Sequence, residues 1–229
     1  MTMTAGPGPV DAKAPRADAT PFASSPRRSP PPPSGDALIA RLRRALSVPA
    51  EPSSDFDPNP GFLPPDGSLR RAAVLAAFHE DDGRLYLTTR AATMRHHPGQ
   101  IALPGGKVDP SDRDEEAAAL REAREEIALD PGQVEVIGAL PAHRTVTHFC
   151  ITPIVAVIRG PFTPVAEPGE VAEVFSLPFS HIADPANYRL EGRIWRDTWR
   201  AYRVAPFGPY YLWGATARIL LGLAERLSR

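Results

Sequence analysis

Cysteine is almost absent: Cys150 is the only one in 229 residues. An internal disulfide framework is therefore excluded, and the simplest expectation is a buried thiol in a reducing compartment. An excess of either charge is also missing, since 26 Lys and Arg stand against 27 Asp and Glu, a formal net charge of -1. Wrapping a nucleic acid needs a cationic surplus, so that partner class is set aside. No apolar run approaches the ~20 residues needed to cross a bilayer, and the N-terminus lacks the apolar core of a secretory signal. A soluble, cytoplasmic protein with no membrane partner is expected. Large apolar side chains are scarce in residues 1–35, where "PRRSPPPPSG" typifies a stretch rich in Pro, Ala and Ser. Such a segment cannot bury enough surface to offset chain ordering, and its prolines oppose the amphipathic helix of a mitochondrial address. We expect a disordered tail over 1–35 and one domain over 36–229.

Within that domain "GDALIARLRRALS" offers Asp36 as an N-cap and spaces Leu38, Leu42 and Leu46 four apart, the stripe of an amphipathic helix. "RRAAVLAAFHEDDGRLYLTTR" holds two strand-like runs around Asp82-Gly83, a dipeptide that favours a tight hairpin. "VEVIGALPAHRT", "FCITPIVAVIRG", "EVAEVFSLPF" and "RIWRDTWRAYRV" have strand character, and "YYLWGATARILLGLAERLS" is expected to form a closing helix. The elements interleave without regular βαβ spacing, and no internal repeat occurs. That order predicts an α/β (α+β) fold with a mixed sheet covered by helices.

Carboxylates crowd one segment. Residues 114–129 are strongly helix-forming, with Ala117, Ala118, Ala119, Leu120 and Ala123 lowering the conformational cost. Glu122, Glu125 and Glu126 stand at i, i+3 and i+4 and so share a face. Spacing alone fits a solvated helix face offset by Arg121 and Arg124. The preceding Pro-Gly-Gly turn shifts the balance, because it brings backbone carbonyls near the same helix, beside a loop holding Asp109 and Asp112. Hard divalent cations such as Mg²⁺ select oxygens of this kind, whereas a His or Cys cluster would point to zinc.

"GGKVDPSDRDEEAAALREAREEIAL" resembles the signature of the Nudix hydrolases, G-x5-E-x7-R-E-U-x-E-E-x-G-U, with Arg121, Glu122, Ala123, Arg124, Glu125 and Glu126 supplying its core. Fifteen positions separate Gly106 from Arg121 where the pattern has fourteen; Arg113 stands at its first glutamate and Ala128 at its late glycine. Upstream, "YLTTRAATMRHHPGQIALPGG" is similar to the motif of the coenzyme A pyrophosphatase branch, matching at Leu87, Thr88, Arg90, Ala91, Arg95, Gly99, Pro104, Gly105 and Gly106. That branch also carries G-G-K-x-D-x-x-D, which makes the extra loop residue and Asp112 branch features, and "YYLWGATARILLGL" resembles its terminal helix.

The resemblance implies a Nudix-type α/β/α sandwich that hydrolyses the diphosphate of coenzyme A or acyl-coenzyme A to 4′-phosphopantetheine, or its acyl form, and adenosine 3′,5′-bisphosphate. Another nucleoside diphosphate derivative as substrate, or a non-catalytic metabolite-binding domain, is the alternative. It further implies Mg²⁺ or Mn²⁺ on Glu122, Glu125, Glu126 and the Gly106 carbonyl, with Glu122 alternatively the base. Glu170 or Glu173 would add a ligand or base, unless they form only an acidic turn. Arg121 would orient the glutamates, completing a catalytic group with Glu122 and Glu125. Arg90 and Arg95 would engage substrate phosphates or position the helix. His96 and His97 are expected at the loop surface, and Trp213 in the core or a pantetheine channel. The oligomeric state is left open.

Overall fold

The structure, a computed structural model, describes residues 33–59, 68–94, 97–195 and 197–229. The expected tail up to residue 32, together with Arg95 and His96, lies outside the described residues. Along the chain come α1 (Gly35–Ser47), β1 (Ser53–Ser54), β2 (Arg70–His79), β3 (Leu85–Arg90), β4 (Ile101–Ala102), β5 (Gly105–Lys107) and α2 (Glu115–Ile127). After these follow β6 (Val134–Ala139), β7 (His143–Arg144), β8 (Phe149–Ile158), β9 (Val171–Leu177), α3 (Phe179–Ile182), β10 (Arg189–Trp195), β11 (Thr198–Phe207), β12 (Tyr210–Trp213) and α4 (Gly214–Leu227).

β2 and β8 run parallel through the middle of a nine-stranded mixed sheet, in register from Arg70↔Phe149 to His79↔Ile158. Their side chains alternate between two cores. Ala73, Leu75, Ala77, Ile154, Ala156 and Ile158 face one side; Ala76, Phe78, Val155 and Val157 face the other. A strand buried on both faces needs apolar residues at successive positions, as these runs have. α2 covers the first face with Ala118, Ala119, Ala123 and Ile127. The alanines that favour the helix thus also let it sit close on a sheet face made partly of alanine. α1, α3 and α4 cover the second face through Leu38, Leu42, Phe179, Ile182, Leu220 and Leu223. The result is the α/β/α sandwich that the resemblance implied.

The hairpin forms as expected, with Gly83 at φ +65° and Phe78 opposite Leu85. β3 then parts from β2, and β5 takes the vacated edge, pairing Val74↔Gly105, Ala73↔Gly106 and Ala72↔Lys107. This split carries the Gly-Gly pair beneath α2. A second sheet, β10-β11-β12, is antiparallel and sends Ala205 and Leu212 into the core. Asn59 ties the loop after β1 to it: the side chain donates to the Ala201 carbonyl at 2.9 Å and accepts from the Ala201 amide at 2.8 Å.

Three expectations need correction. α1 starts at Gly35, with Ser34 at the cap position and Asp36 inside the first turn, where a carboxylate still favours the helix dipole. The closing helix starts only at Gly214, because Tyr210–Trp213, rich in aromatics, pairs with β11 as a strand. Cys150 is half-buried, lying near the start of β8 before that strand enters the core.

Candidate active site

α2 is fixed at both ends by its own residues. Asp114 caps it by accepting from the Ala117 amide at 2.8 Å. At the other end Ala128 adopts the left-handed conformation, φ +57°, a position that glycine fills more easily. Arg113, in place of the signature's first glutamate, turns outward and pairs with Asp114 at 2.8 Å.

The Gly-Gly pair is dictated by space. A Cβ on Gly105 would collide with the Ala73 carbonyl of β2, and one on Gly106 would lie 2.5 Å from the Glu122 carboxylate. Only glycine lets the strand pass between β2 and that carboxylate. The Gly105 amide donates to Glu126 Oε2 at 3.3 Å, so strand and helix meet through both glutamates.

Arg121 organises the cluster. Its Nε and Nη2 hold the two oxygens of Asp112, each at 3.0 Å; Nη1 donates to Glu122 Oε1 at 3.1 Å and Glu125 Oε2 at 3.0 Å; Nη2 also reaches the Lys107 carbonyl at 3.2 Å. The guanidinium is thereby held above its ordinary pKa range, chiefly by Asp112, while Arg121 holds the Asp112 carboxyl below its own. The extra loop residue has a visible use. Asp109 and Asp112 close a turn, with the Asp109 amide on Asp112 Oδ2 at 2.8 Å and the Asp112 amide on the Asp109 carbonyl at 2.9 Å, and this aims Asp112 at Arg121. Asp112 is thus engaged by Arg121, and Asp109 accepts from the Ser111 amide and hydroxyl.

Spacing alone also allowed a solvated acidic face, and burial overturns it. Glu126 is 4% exposed and the Glu122 side chain 16%, whereas Glu125 is 59% exposed. Burial pushes the Glu126 carboxyl up to about 7; Glu122 and Glu170 push the same way, against the Gly105 amide and the charge of Arg90. Glu122 is raised as well, first by burial, then by Glu125 and Glu170, with Arg121 opposing. Arg90 thus faces Glu126. Glu170 comes from the turn before β9, joined to the end of β3 by the Ala91 amide on the Glu170 carbonyl at 2.8 Å. A register shift between Thr89 and Arg90 accompanies this junction. Glu173 lies three residues further on, within β9, and accepts from Tyr210 Oη at 2.8 Å, so Glu170 is the acid from outside α2 that bears on the cluster.

Gly105, Gly106 and Glu122 line one end of a cleft of about 1250 Å³, whose walls include Arg90 and His97 and, from the second sheet, Arg193, Arg200, Tyr202 and Trp213. Trp213 therefore lines the cleft. Arg193, Arg200 and Tyr202 were not expected at a site, since the alternation of "RIWRDTWRAYRV" is that of half-buried strands. The available signal was its repeated arginine and aromatic pairing.

The donor set suits a hard divalent ion: carboxylate oxygens of Glu122, Glu125, Glu126 and Glu170, with buried negative charge in excess. Among the described residues no three His, Cys, Asp or Glu side chains converge as they stand into a set that could hold a metal ion. Arg121 occupies an oxygen of both Glu122 and Glu125.

The NUDIX domain family matches residues 69–196. The uncharacterized Nudix hydrolase NudL of Enterobacter sp. (strain 638) is 42% identical, over 69% of this chain and 83% of the relative. The protein of the same name from Citrobacter koseri is 43% identical with the same coverage. Among solved structures, the binary complex of the C. elegans Ap4A hydrolase aligns with a TM-score of 0.41 and 21% identity, over 48% of this chain and 80% of that one. No helix among the described residues is long and apolar enough to cross a membrane.

Proposed function

The chain belongs to the Nudix hydrolase family, and we propose that it cleaves the diphosphate linkage of coenzyme A or its acyl derivatives. The products are 4′-phosphopantetheine, or its acyl form, and adenosine 3′,5′-bisphosphate. The observation that carries this reading is the convergence of two matched motifs: Arg90 and the Gly105-Gly106 pair, from the stretch similar to the coenzyme A pyrophosphatase branch, stand against Glu126 and Glu122 of α2.

Glu122, Glu126 and the Gly106 carbonyl would hold Mg²⁺ or Mn²⁺, joined by Glu125 and by Glu170 from the facing turn. The ion would screen the phosphates, polarise the phosphorus and acidify a bound water. Arg121 stays off the substrate and fixes the rotamers of Glu122 and Glu125 through its anchor on Asp112. Arg90 lies close enough to the buried acids to balance their charge before substrate arrives and to meet a phosphate oxygen afterwards. Glu170, exposed and bearing on both buried glutamates, would either complete the ligands of the ion or take a proton from the attacking water.

The test is a substrate panel with Mg²⁺ or Mn²⁺: coenzyme A, acetyl-coenzyme A, NADH, ADP-ribose and a nucleoside triphosphate. Coenzyme A or its acyl form should give the highest kcat/KM, with adenosine 3′,5′-bisphosphate released. Rapid cleavage of another member with coenzyme A untouched overturns the substrate and leaves the family.

A further inference from the structure

The cleft is far more basic than the chain. Among the described residues seven Arg and Lys side chains line it with two acids, Asp55 and Glu122, and of the seven Arg218 is paired with Asp57 at 3.5 Å, although the whole sequence has a net charge of -1. Such a concentration of one sign in a concave site draws in a polyanion. The cations come from separate elements: Arg90 bears on Glu126 of α2, whereas Arg193 and Arg200 belong to the second sheet.

Arg193 and Arg200 are direct cross-strand partners in the β10·β11 register, and both line the cleft. Like charges directly opposite each other disfavour a strand pair, and an anion held between them reverses that sign. Trp213 and Tyr202 lie on the same face by the alternation of β11 and β12 and meet edge to face, with ring centroids 5.6 Å apart. The Arg193 guanidinium is stacked over both, at 5.0 Å from the Trp213 centroid and 5.8 Å from that of Tyr202. Stacking of this kind limits its freedom before any ligand binds.

We propose that Arg193 and Arg200 form a second phosphate subsite, which selects nucleotides bearing a phosphomonoester on the ribose in addition to the diphosphate cleaved at α2. The assignment rests on the coenzyme A reading above, and it names the group by which that substrate is told from its dephosphorylated form. Trp213 and Tyr202 act as positioning residues for Arg193. The cleft, about 1250 Å³, has room for a ligand larger than a mononucleotide.

Two measurements on the full chain test this. In calorimetric titrations without metal, adenosine 3′,5′-bisphosphate should bind about tenfold or more tightly than AMP, and Arg193→Gln and Arg200→Gln should each remove most of that gap while leaving AMP affinity and the thermal midpoint unchanged. Arg193→Lys and Arg200→Lys, which keep the charge but not the planar fork, should fall between, and they carry the test if a glutamine variant does not fold. In turnover assays the KM for coenzyme A should rise by a similar factor in the glutamine variants, with kcat and the KM for dephospho-coenzyme A held. Equal affinity of the wild type for both nucleotides, or a preference untouched by all four variants, overturns the subsite. Bisphosphate binding that depends on these arginines, with no hydrolysis of coenzyme A, overturns the function proposed above and keeps the subsite; hydrolysis of coenzyme A and dephospho-coenzyme A with equal KM does the reverse.

Discussion

The two charged walls of the cleft are built by opposite means. On α2 the acids lie deep, Glu126 nearly fully buried, and one guanidinium with five hydrogen bonds fixes the surrounding carboxylates. On the second sheet the cations lie on a three-stranded ribbon and Arg193 is held by aromatic faces. Desolvated charge is costly, so the acidic wall stores repulsion that a cation relieves, whereas the stacked and exposed Arg193 keeps its charge near water with little penalty. The first arrangement suits chemistry and the second recognition. Damage to the α2 wall should therefore appear in kcat and in stability, and damage to the sheet wall in KM.

The largest break in that contrast comes from Glu126→Gln, which removes a charge with little change of shape. Turnover at saturating Mg²⁺ should fall by about 10³-fold, near 4 kcal/mol in the barrier, with the fold retained. Glu122→Gln should behave alike, and wild-type rates in either variant would take that residue out of the site.

Next in size is a pH effect on the metal-free protein. The folded pKa of Glu126, about 7, lies above its ordinary value of 4.5, so the folded state holds that proton more tightly than the unfolded chain does. Its contribution is complete below about pH 4.5 and is lost as pH rises through 7. Unfolding free energy should drop by about 2–3 kcal/mol between pH 5 and pH 8, with the upward shift of Glu122 acting in the same direction. Denaturant titrations should show the slope flattened in Glu126→Gln, and Mg²⁺ at pH 8 should restore much of the loss. An unchanged slope in the variant would show that the buried carboxyl does not titrate as described.

Asp112→Asn tests whether the lock matters apart from the acids. Loss of the paired charge on Arg121 should cost about 1–2 kcal/mol of stability and about tenfold in kcat, with KM nearly constant. A change confined to KM would instead put Arg121 in contact with substrate. The smallest effect is a gain: Ala128→Gly relieves the left-handed backbone and should add about 0.5–1 kcal/mol, raising Tm by roughly 2 °C with turnover unaltered.

Much of this molecule was decided by local chemistry that a linear chain displays. The alanine-rich run with an aspartate ahead of it makes α2, the Asp82-Gly83 pair turns the hairpin, and the spacing of Glu122, Glu125 and Glu126 puts them on one side whatever surrounds them. Those outcomes depend on neighbours within about one turn. Which of the three glutamates is buried depends on how α2 rotates against Ala73, Leu75 and Ala77, and a helical period is silent about depth. The need for Gly106 appears only when β5 slides into the edge β3 has left and meets Glu122 sixteen residues onward. Asp112 stood out in sequence only as a branch feature, because its bond to Arg121 depends on a turn folding back. Arg193 and Arg200 looked like ordinary strand residues because a cleft exists only once a second sheet stands across from the first. Backbone preference and side-chain period settled the elements; long-range packing alone settled which charges lost their water, and that loss gives the cleft its chemistry.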